Sequence, residues 1–296
     1  MDSKDFRLLV ELHRNARQSY RSLGHAVSLS APAVRERLAR LRTCGILRGY
    51  WLWVDPSMFG RKDLLVFYLG DWTREDALKL VDLPDIGWVA WKVDGGLTVQ
   101  VWPHDDPVAA TETVSRVLGK QPYGQTISER TSHRSLSLAD WYIVDALIDD
   151  PLMSLNDLSE QTRLSLKTVR KRLASLVGER RILIVPKLGT MNDSGDVVYS
   201  VGVFGQLDLG EVRRRMKDVF VVGRSENPPA SYLLCRDASI SEATTRIQLL
   251  NKFPGVKSAT ISLIRETFVA AQLTHSLVKS QIQTLQKHGR IRSIRR

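Results

Sequence analysis

The sequence contains very little cysteine: Cys44 and Cys235 are its two, they lie far apart, and neither belongs to a C-x-x-C pair. We therefore expect neither a disulfide framework nor a thiolate zinc site, and we predict a reducing, cytoplasmic setting. Long apolar runs are also missing, because no segment approaches the roughly 18 consecutive apolar residues of a membrane helix. The opening segment, MDSKDFRLLVELHRNARQ, is charged throughout and differs from a signal peptide. We expect no membrane partner.

Residue groups of a catalytic type are absent as well. The six histidines are scattered, and no paired carboxylates, Ser/His/Asp order or metal-ligand spacing stands out. We therefore predict no catalytic residue, no metal site and no cofactor.

Positive charge is abundant and unevenly distributed. The chain has 296 residues, 43% of them hydrophobic, and a formal net charge of +11 with a pI of about 9.8. Residues 1–50 hold ten lysines and arginines against four acids, and residues 274–296 hold six against none. An excess that is concentrated in this way favours nucleic acid as the partner.

The chain repeats itself at a constant offset. The matched positions are Ser19 with Ser154, Leu29-Ser30 with Leu164-Ser165, and Val34-Arg35-Glu-Arg37-Leu38 with Val169-Arg170-Lys-Arg172-Leu173. The segments between the copies also resemble each other, so we predict four modules in the order helical, α+β, helical, α+β. Their predicted bounds are 1–60, 61–133, 137–190 and 196–270, followed by a C-terminal helix and basic tail over 271–296.

The helical modules have the pattern of a winged helix-turn-helix. Ser19 is placed to cap a second helix, and Ser30 to cap a third helix whose first turn contains Pro32. Val34, Leu38 and Leu41 then share one buried face. Gly45 ends this helix, and residues 46–54 read as a strand or hairpin wing.

The third helix of each copy, over 30–43 and 165–177, is where DNA contacts are expected. The predicted contact residues are Ser30, Ala31, Ala33, Arg35, Arg40 and Arg42 in the first copy, and Ser165, Lys167, Thr168, Arg170 and Lys171 in the second. Arginine on an exposed helix is also typical of plain solvation. The turn, the cap, the wing and the repeat together favour double-stranded DNA, with Arg35 at base edges and Arg40 and Arg42 at phosphates.

These residues resemble the Lrp/AsnC ("feast/famine") family of transcription regulators. The resemblance rests on Asp5-x-x-x-Leu-x-x-Leu12, Val34-x-x-Arg37-Leu-x-x-Leu41, Gly45-Ile46-Leu-x-Gly49-Tyr50 and Val54-Asp55-Pro56-x-x-x-Gly60. It implies an α+β fold in which winged helix-turn-helix domains alternate with ferredoxin-like βαββαβ domains, here as a covalent tandem. It also implies a homo-oligomer formed through the α+β domains and modulation by a small-molecule effector.

The effector turn of that family departs from its pattern here. The first copy has Asp94, Gly95 and Gly96 where the family has a Gly-x-x-Asp type of turn, and the second copy has Glu226-Asn227-Pro228-Pro229. We name Asp94, Gly95 and Gly96 as candidate effector contacts, but the departure argues against an amino acid as the effector.

Two alternatives stay open. Siroheme decarboxylases resemble the same family and pair two homologous units, so the chain is alternatively an enzyme of that type. It is also a candidate small-molecule sensor with reduced DNA binding, because six tryptophans, Trp51, Trp53, Trp72, Trp88, Trp91 and Trp102, can line a pocket or pack in a core. Trp88 and Trp91 are odd-spaced and cannot share one face of a regular strand.

Overall fold

A computed structural model describes residues 1–128, 135–189 and 196–294, with side chains as far as residue 287. The first helical module, here called head 1, consists of helices α1 (Ser3–Arg14), α2 (Tyr20–Val27) and α3 (Ala31–Thr43) and strand β1 (Leu47–Val54). The predicted caps are confirmed, since the side chains of Ser19 and Ser30 accept the backbone N–H of Ser22 and Ala33.

The first α+β module, called sheet unit 1, follows with the order βαββαβ. Its elements are β2 (Asp63–Tyr68), α4 (Arg74–Val81), β3 (Ile86–Lys92), β4 (Leu97–Val101), α5 (Pro107–Leu118) and β5 (Gly124–Ser128). Leu64, Val66 and Tyr68 alternate along β2 and pack under the two helices. Asp63, Leu65 and Phe67 therefore face the other side of the sheet.

Head 2 repeats the architecture of head 1. It contains α6 (Leu138–Asp149), α7 (Leu155–Thr162), α8 (Leu166–Gly178) and β6 (Ile182–Leu188). Its caps are the predicted ones, Ser154 and Ser165. The residues that turn the chain before α3 and before α8, Ser28 and Arg163, both have left-handed backbone with φ of 56°.

Sheet unit 2 has the same βαββαβ order. Its elements are β7 (Val197–Gly205), α9 (Leu209–Arg215), β8 (Val219–Glu226), β9 (Pro229–Asp237), α10 (Ile240–Leu250) and β10 (Val256–Ser262). Its strand order is β10-β7-β9-β8, and sheet unit 1 has the matching order β5-β2-β4-β3. The predicted α+β class, with winged helix-turn-helix and ferredoxin-like modules alternating, is confirmed.

Two connections differ from what local patterns predict. Strand β1 is not half of a hairpin within head 1, because it pairs antiparallel with β6 of head 2, and we call this two-stranded element the wing ribbon. Strand β11 (Ile264–Val269) lies within the range 196–270 but joins sheet unit 1 as the neighbour of β3. Helix α11 (Ala271–Ile294) then packs on α6. Arg295 and Arg296 of the predicted basic tail lie outside the described residues.

The two sheet units face each other through the sides that carry no helices. Phe67 of sheet unit 1 contacts Phe204 and Tyr232 of sheet unit 2 at ring-centroid distances of 5.6 and 6.2 Å. At one edge, the backbone N–H of Ile127 donates to the carbonyl oxygen of Asn227 at 2.9 Å. The two sheets of this single chain therefore pack against each other.

Candidate nucleic-acid interface and the cavity between the sheets

The third helix of each head is held by its apolar face. Val34, Leu38 and Leu41 of α3 are at most 1% exposed. Val169, Leu173 and Leu176 bury the same face of α8. This fixes which side of each helix turns outward, so the directions predicted for the outward side chains follow from packing rather than from charge.

Four of the predicted contact residues are exposed and unpaired. Arg35 on α3 and Lys167, Arg170 and Lys171 on α8 are exposed to solvent. Among the described residues, none of the four has an ion-pair or hydrogen-bond partner. Their charges are therefore available to an external anion, and a row of them on one helix suits a phosphate backbone.

Arg40 and Arg42 are less free than the sequence suggested. The Nη2 atom of Arg40 lies 2.9 Å from Oδ2 of Asp5, although 60% of the Arg40 side chain is exposed. Burial raises the pKa of the Tyr50 hydroxyl, and nearby Arg42 acts in the opposite direction. Both arginines can reach phosphate only if they share or release these partners.

The small and hydroxyl-bearing contact residues stand at the helix N-termini. Ser30 and Ser165 use their hydroxyl oxygens as caps, and Ser165 also lies 2.8 Å from the Thr168 hydroxyl. Ala31 and Ala33 are half-buried in the first turn of α3. These residues shape the helix N-terminus and allow another molecule to approach it closely.

The predicted effector turn is occupied by its own contacts. The Oδ1 atom of Asp94 accepts the backbone N–H of Gly96 at 3.0 Å. Gly95 has φ of +80°, and a Cβ there would lie 2.6 Å from the Cα of Asp71. The turn therefore requires glycine for conformational and steric reasons, which is an explanation independent of any ligand.

A cavity of about 270 Å³ lies between the two sheets and beneath the wing ribbon. Side chains alternate along the wing ribbon, and one set forms the roof of the cavity: Trp51, Trp53, Leu183 and Val185. The other set faces the core under head 2: Leu52, Val54, Ile182 and Ile184. Trp88, Ala90 and Lys92 of β3 line one wall, and Gly202 and Gly223 of sheet unit 2 line the opposite one. The interior is mainly apolar and aromatic, with a few polar groups.

The six tryptophans divide between lining and core. Trp51, Trp53 and Trp88 line the cavity. Trp91 points to the other side of β3, where its Nε1 donates to the carbonyl oxygen of Trp72 at 2.8 Å, so the predicted separation of Trp88 and Trp91 is confirmed. Trp102 packs against Phe59 in the core under head 2.

Sequence reasoning missed Lys92 and Gln100, which also line this cavity. Lys92 is 4% exposed and Gln100 is 3% exposed. Burial lowers the pKa of the Lys92 ammonium against the opposing influence of Asp94. The Nε2 of Gln100 donates to Asp63 at 2.7 Å, while its Oε1 has no partner among the described residues. The sequence signal for Lys92 was a lysine at the end of the apolar strand IGWVAWK. That pattern does not show that a second sheet covers the lysine.

Two histidines occupy contrasting surroundings. Burial holds the pKa of His13 down to about 4, with a smaller contribution from Arg180. His275 on α11 lies 3.1 Å from Asp145 and 3.0 Å from Asp149, and these carboxylates outweigh burial and raise its pKa. Within the described ranges, no group of three or more His, Cys, Asp or Glu is arranged to hold a metal ion. In the same ranges, no helix is both long and apolar enough to span a bilayer.

Comparison with known proteins places both heads in one structural class. The family model described as an AsnC-type helix-turn-helix domain matches residues 1–42, and that described as winged helix-turn-helix DNA-binding matches residues 136–181. The HTH-type transcriptional regulator Rv2324 of Mycobacterium tuberculosis is 42% identical over 60 residues, which are 20% of this chain and 40% of that protein. LrpC of Bacillus subtilis is 38% identical over 60 residues, or 20% and 42% of the two chains. The chain thus spans about two fifths of the length of these relatives.

Solved structures are similar over longer stretches and at lower identity. The siroheme decarboxylase NirDL is 13% identical, with a TM-score of 0.46 over 95% of this chain and 99% of that one. The structure of LrpC from B. subtilis is 21% identical, with a TM-score of 0.31 over 45% and 99%. The family-model matches in both heads, the repeated caps in head 2 and the βαββαβ order of both sheet units together support the resemblance of this chain to the Lrp/AsnC family, as a tandem duplication of a two-module unit.

Proposed function

We propose that this chain is a DNA-binding transcription regulator that uses its two heads as a covalent pair. The observation that carries the proposal is a set of exposed cations on both third helices that have no partner in the part of the chain that the structure describes: Arg35 on α3, and Lys167, Arg170 and Lys171 on α8. Each helix is capped, held by its apolar face and preceded by the same left-handed turn. The relatives named as transcriptional regulators support the same function.

In this proposal phosphate contacts supply most of the affinity and a few base contacts supply the selectivity. Arg35 and Arg170 occupy equivalent positions and are assigned to base edges. Lys167 and Lys171 are assigned to phosphates, together with Arg40 and Arg42 where they leave their internal partners. Ser30, Ser165, Thr168, Ala31 and Ala33 shape the helix N-termini that enter the groove.

The tandem arrangement replaces a dimer of identical subunits. Because the sheets already face each other within one chain, a single chain presents two heads, and these have different outward residues: Glu36 on α3 stands where Lys171 stands on α8. The DNA site is therefore not required to be a palindrome. The division into modules at 1–60, 61–133, 137–190, 196–270 and 271–296, the cytoplasmic location and further association of chains through the α+β modules belong to the proposal.

The alternative function, an enzyme of the siroheme decarboxylase type, fits the cavity less well. A cavity of 150 Å³ is large enough for benzene, so about 270 Å³ accommodates a compound of roughly two rings. A tetrapyrrole has four pyrrole rings and acidic side chains, so only part of it would lie within that space and the rest would extend through the open side of the cavity. We therefore propose no catalytic function, and a titration with an iron tetrapyrrole that produced a Soret shift at stoichiometric protein would contradict this.

The test of DNA binding compares the purified chain on DNA from upstream of its own coding sequence with random DNA of equal length, across a range of salt concentrations. We expect tighter binding to the upstream DNA at every salt concentration, and a decrease in affinity with salt on both. Equal affinities and equal salt slopes would reduce the activity to generic binding by a basic protein and would overturn the proposal.

A further inference from the structure

The face of β3 that looks into the cavity carries a small residue between two large ones. Trp88, Ala90 and Lys92 alternate along this face. Ala90 ends at its Cβ, so the space above it is open, with the indole ring at one end and the ammonium group at the other. The four residue steps from Trp88 to Lys92 span about 13 Å, which is the length of a two-ring compound with one short polar substituent.

The opposite wall is open for the same reason. Gly202 on β7 and Gly223 on β8 face the cavity without side chains. A Cβ on Gly202 would meet its nearest atoms at 3.7 Å, and one on Gly223 would meet Tyr232 at 3.6 Å, so neither glycine is required by close packing. Neither has the positive φ that would require glycine for conformational reasons. The absence of side chains leaves empty space between two flat walls.

Lys92 places a cation in this space, and the carboxylate that acts on it most, that of Asp94, lies beyond ion-pair distance. Its Nζ lies 5.8 Å from the centroid of the Tyr123 ring, and no carboxylate lies within ion-pair distance among the described residues. Its stem passes over Gly96, where a Cβ would lie 3.6 Å from the Lys92 Cδ. A cation–π contact offsets only part of the cost of burying an ammonium group. The part of this cost that is not offset favours the binding of an anionic ligand beside the ammonium group.

The other charged groups of the cavity do not offer a matching site for a cation. Asp63 already accepts a hydrogen bond from Gln100. Arg224 is exposed and lies at the Asp63 end, because its carbonyl oxygen accepts from the hydroxyl of Ser128, the residue paired with Asp63, while burial of His13 holds its pKa at about 4 and keeps its ring neutral near pH 7. Among the charged residues that line the cavity, Lys92 therefore stands alone at its end of the apolar space, with Asp94 outside the lining.

We propose that the cavity binds a flat, two-ring aromatic carboxylate, with the carboxylate on Lys92 Nζ and the rings over Ala90 between Trp88 and the glycines of the opposite wall. A free amino acid suits the site less, because its ammonium group would lie beside Lys92. The roof of the site is the wing ribbon, which continues from α3, so an occupant contacts the segment that links both heads. An effect on DNA affinity rests on the proposed function, whereas binding of the ligand does not.

The test uses 2-naphthoate as the probe, 2-naphthamide as its neutral counterpart and L-tryptophan as an amino acid, titrated against the full chain without DNA. Binding is followed by calorimetry and by the fluorescence of the tryptophans that line the cavity. We expect 2-naphthoate to bind the unmodified chain more tightly than the other two. Lys92→Met should weaken 2-naphthoate by roughly tenfold or more, the effect of losing a charged hydrogen bond, and should leave 2-naphthamide unchanged.

Matched variants separate the site from general effects. Lys120→Met removes a lysine whose Nζ also lies 5.8 Å from an aromatic ring, that of Trp72, but outside the cavity, and binding should not change. Gly223→Leu fills the space and should abolish binding of both naphthyl compounds, whereas Gly178→Leu, where nothing lies within 4 Å of a Cβ, should not. Thermal unfolding of each variant identifies any that fail to fold, and Gly202→Val is then the second filling variant.

Three results would overturn the proposal: no binding of 2-naphthoate to the unmodified chain, equal binding to the Lys92→Met variant, or undiminished binding to a folded cavity-filling variant. Tighter binding of L-tryptophan than of 2-naphthoate would contradict the proposed ligand class. Because DNA is absent throughout, none of these results depends on whether the heads bind DNA.

Discussion

Arg37 on α3 holds the carboxylate of Asp5 on α1, with Nη1 and Oδ1 at 2.8 Å, although Asp5 is completely buried. The same contact recurs in head 2, where Nη1 of Arg172 lies 2.9 Å from Oδ1 of Asp140. In both heads this ion pair fastens the first helix to the third. Two of the arginines that make α3 look like a polycation, Arg37 and Arg40, are thus partly structural, because both contact Asp5.

Asp5→Ala is expected to destabilise head 1 more than Asp140→Ala destabilises head 2. Asp5 contacts two arginines and accepts the backbone N–H of Asp2, whereas Asp140 contacts one arginine and caps α6 with Ser137. We expect the free energy of unfolding to fall by roughly 2–4 kcal/mol for Asp5→Ala and by roughly 1–2 kcal/mol for Asp140→Ala. These losses are smaller than for a fully buried ion pair, because the arginines can return to solvent. Hydrogen exchange of α1 and α3, compared with α6 and α8, measures the two effects separately. Equal losses in the two heads would contradict the assignment.

The caps and buried faces of the heads were predictable because they depend on short-range patterns. Ser30 and Ser165 precede a helix with apolar residues at helical spacing, and a cap acts within one turn. The repeat then predicted head 2 from head 1. The outward direction of Arg35 and Arg170 followed from the same periodicity.

Pairing between distant segments was not predictable in this way. Strand β1 carries a clear alternation, but nothing within residues 46–54 tells that its partner is β6 of the other head. The addition of β11 beside β3 similarly joins Glu266 to Trp91 across most of the chain. The sequence did not predict Lys92 as a cavity residue, because its burial depends on the second sheet. Local periodicity reports which face of an element is apolar and leaves open what covers it.

Gly24→Ala is expected to destabilise head 1 by roughly 2 kcal/mol. A Cβ at Gly24 would lie 2.3 Å from the carbonyl oxygen of Leu29, so the turn before α3 would have to move away. The equivalent residue of head 2 is Ser159, whose hydroxyl donates to the carbonyl oxygen of Leu164 at 2.5 Å. Ser159→Ala should therefore cost only about 1 kcal/mol, the contribution of one hydrogen bond. Denaturant unfolding followed by hydrogen exchange in each head checks the order, and a smaller loss for Gly24→Ala would refute it.

Arg35→Ala should weaken binding to the specific DNA site by roughly 1–3 kcal/mol if its guanidinium contacts a guanine edge. Arg170→Ala tests the equivalent position of head 2. The matched control is Arg116→Ala, an exposed arginine on α5 of sheet unit 1. Binding is measured on the specific site and on random DNA. A loss of equal size on both would move Arg35 from base recognition to phosphate contact.

Lys171→Ala should lower the salt dependence of DNA binding as well as the affinity. A lysine that neutralises one phosphate contributes close to one unit to the slope of log K against log salt. Lys167→Ala should act in the same way, and Lys279→Ala on α11 should have no effect on the slope. An unchanged slope in both α8 variants would mean that head 2 does not contact the DNA backbone, and that head 1 binds without it.

The two histidines should give the stability of the chain opposite responses to pH. The fold holds the pKa of His13 near 4, so it favours the neutral ring, and its contribution is present above the usual 6.5 and is lost as pH falls from 6.5 toward 4. That loss amounts to at most about 3 kcal/mol.

The pKa of His275 is raised by Asp149 and Asp145, so its contribution is present below 6.5 and is lost as pH rises through its folded value. Unfolding of His13→Gln between pH 7.5 and 4.5 should show a smaller loss of stability than the unmodified chain, while His275→Gln should be most destabilising at the acid end. If both variants followed the pH profile of the unmodified chain, neither ring would titrate differently in the folded and unfolded states.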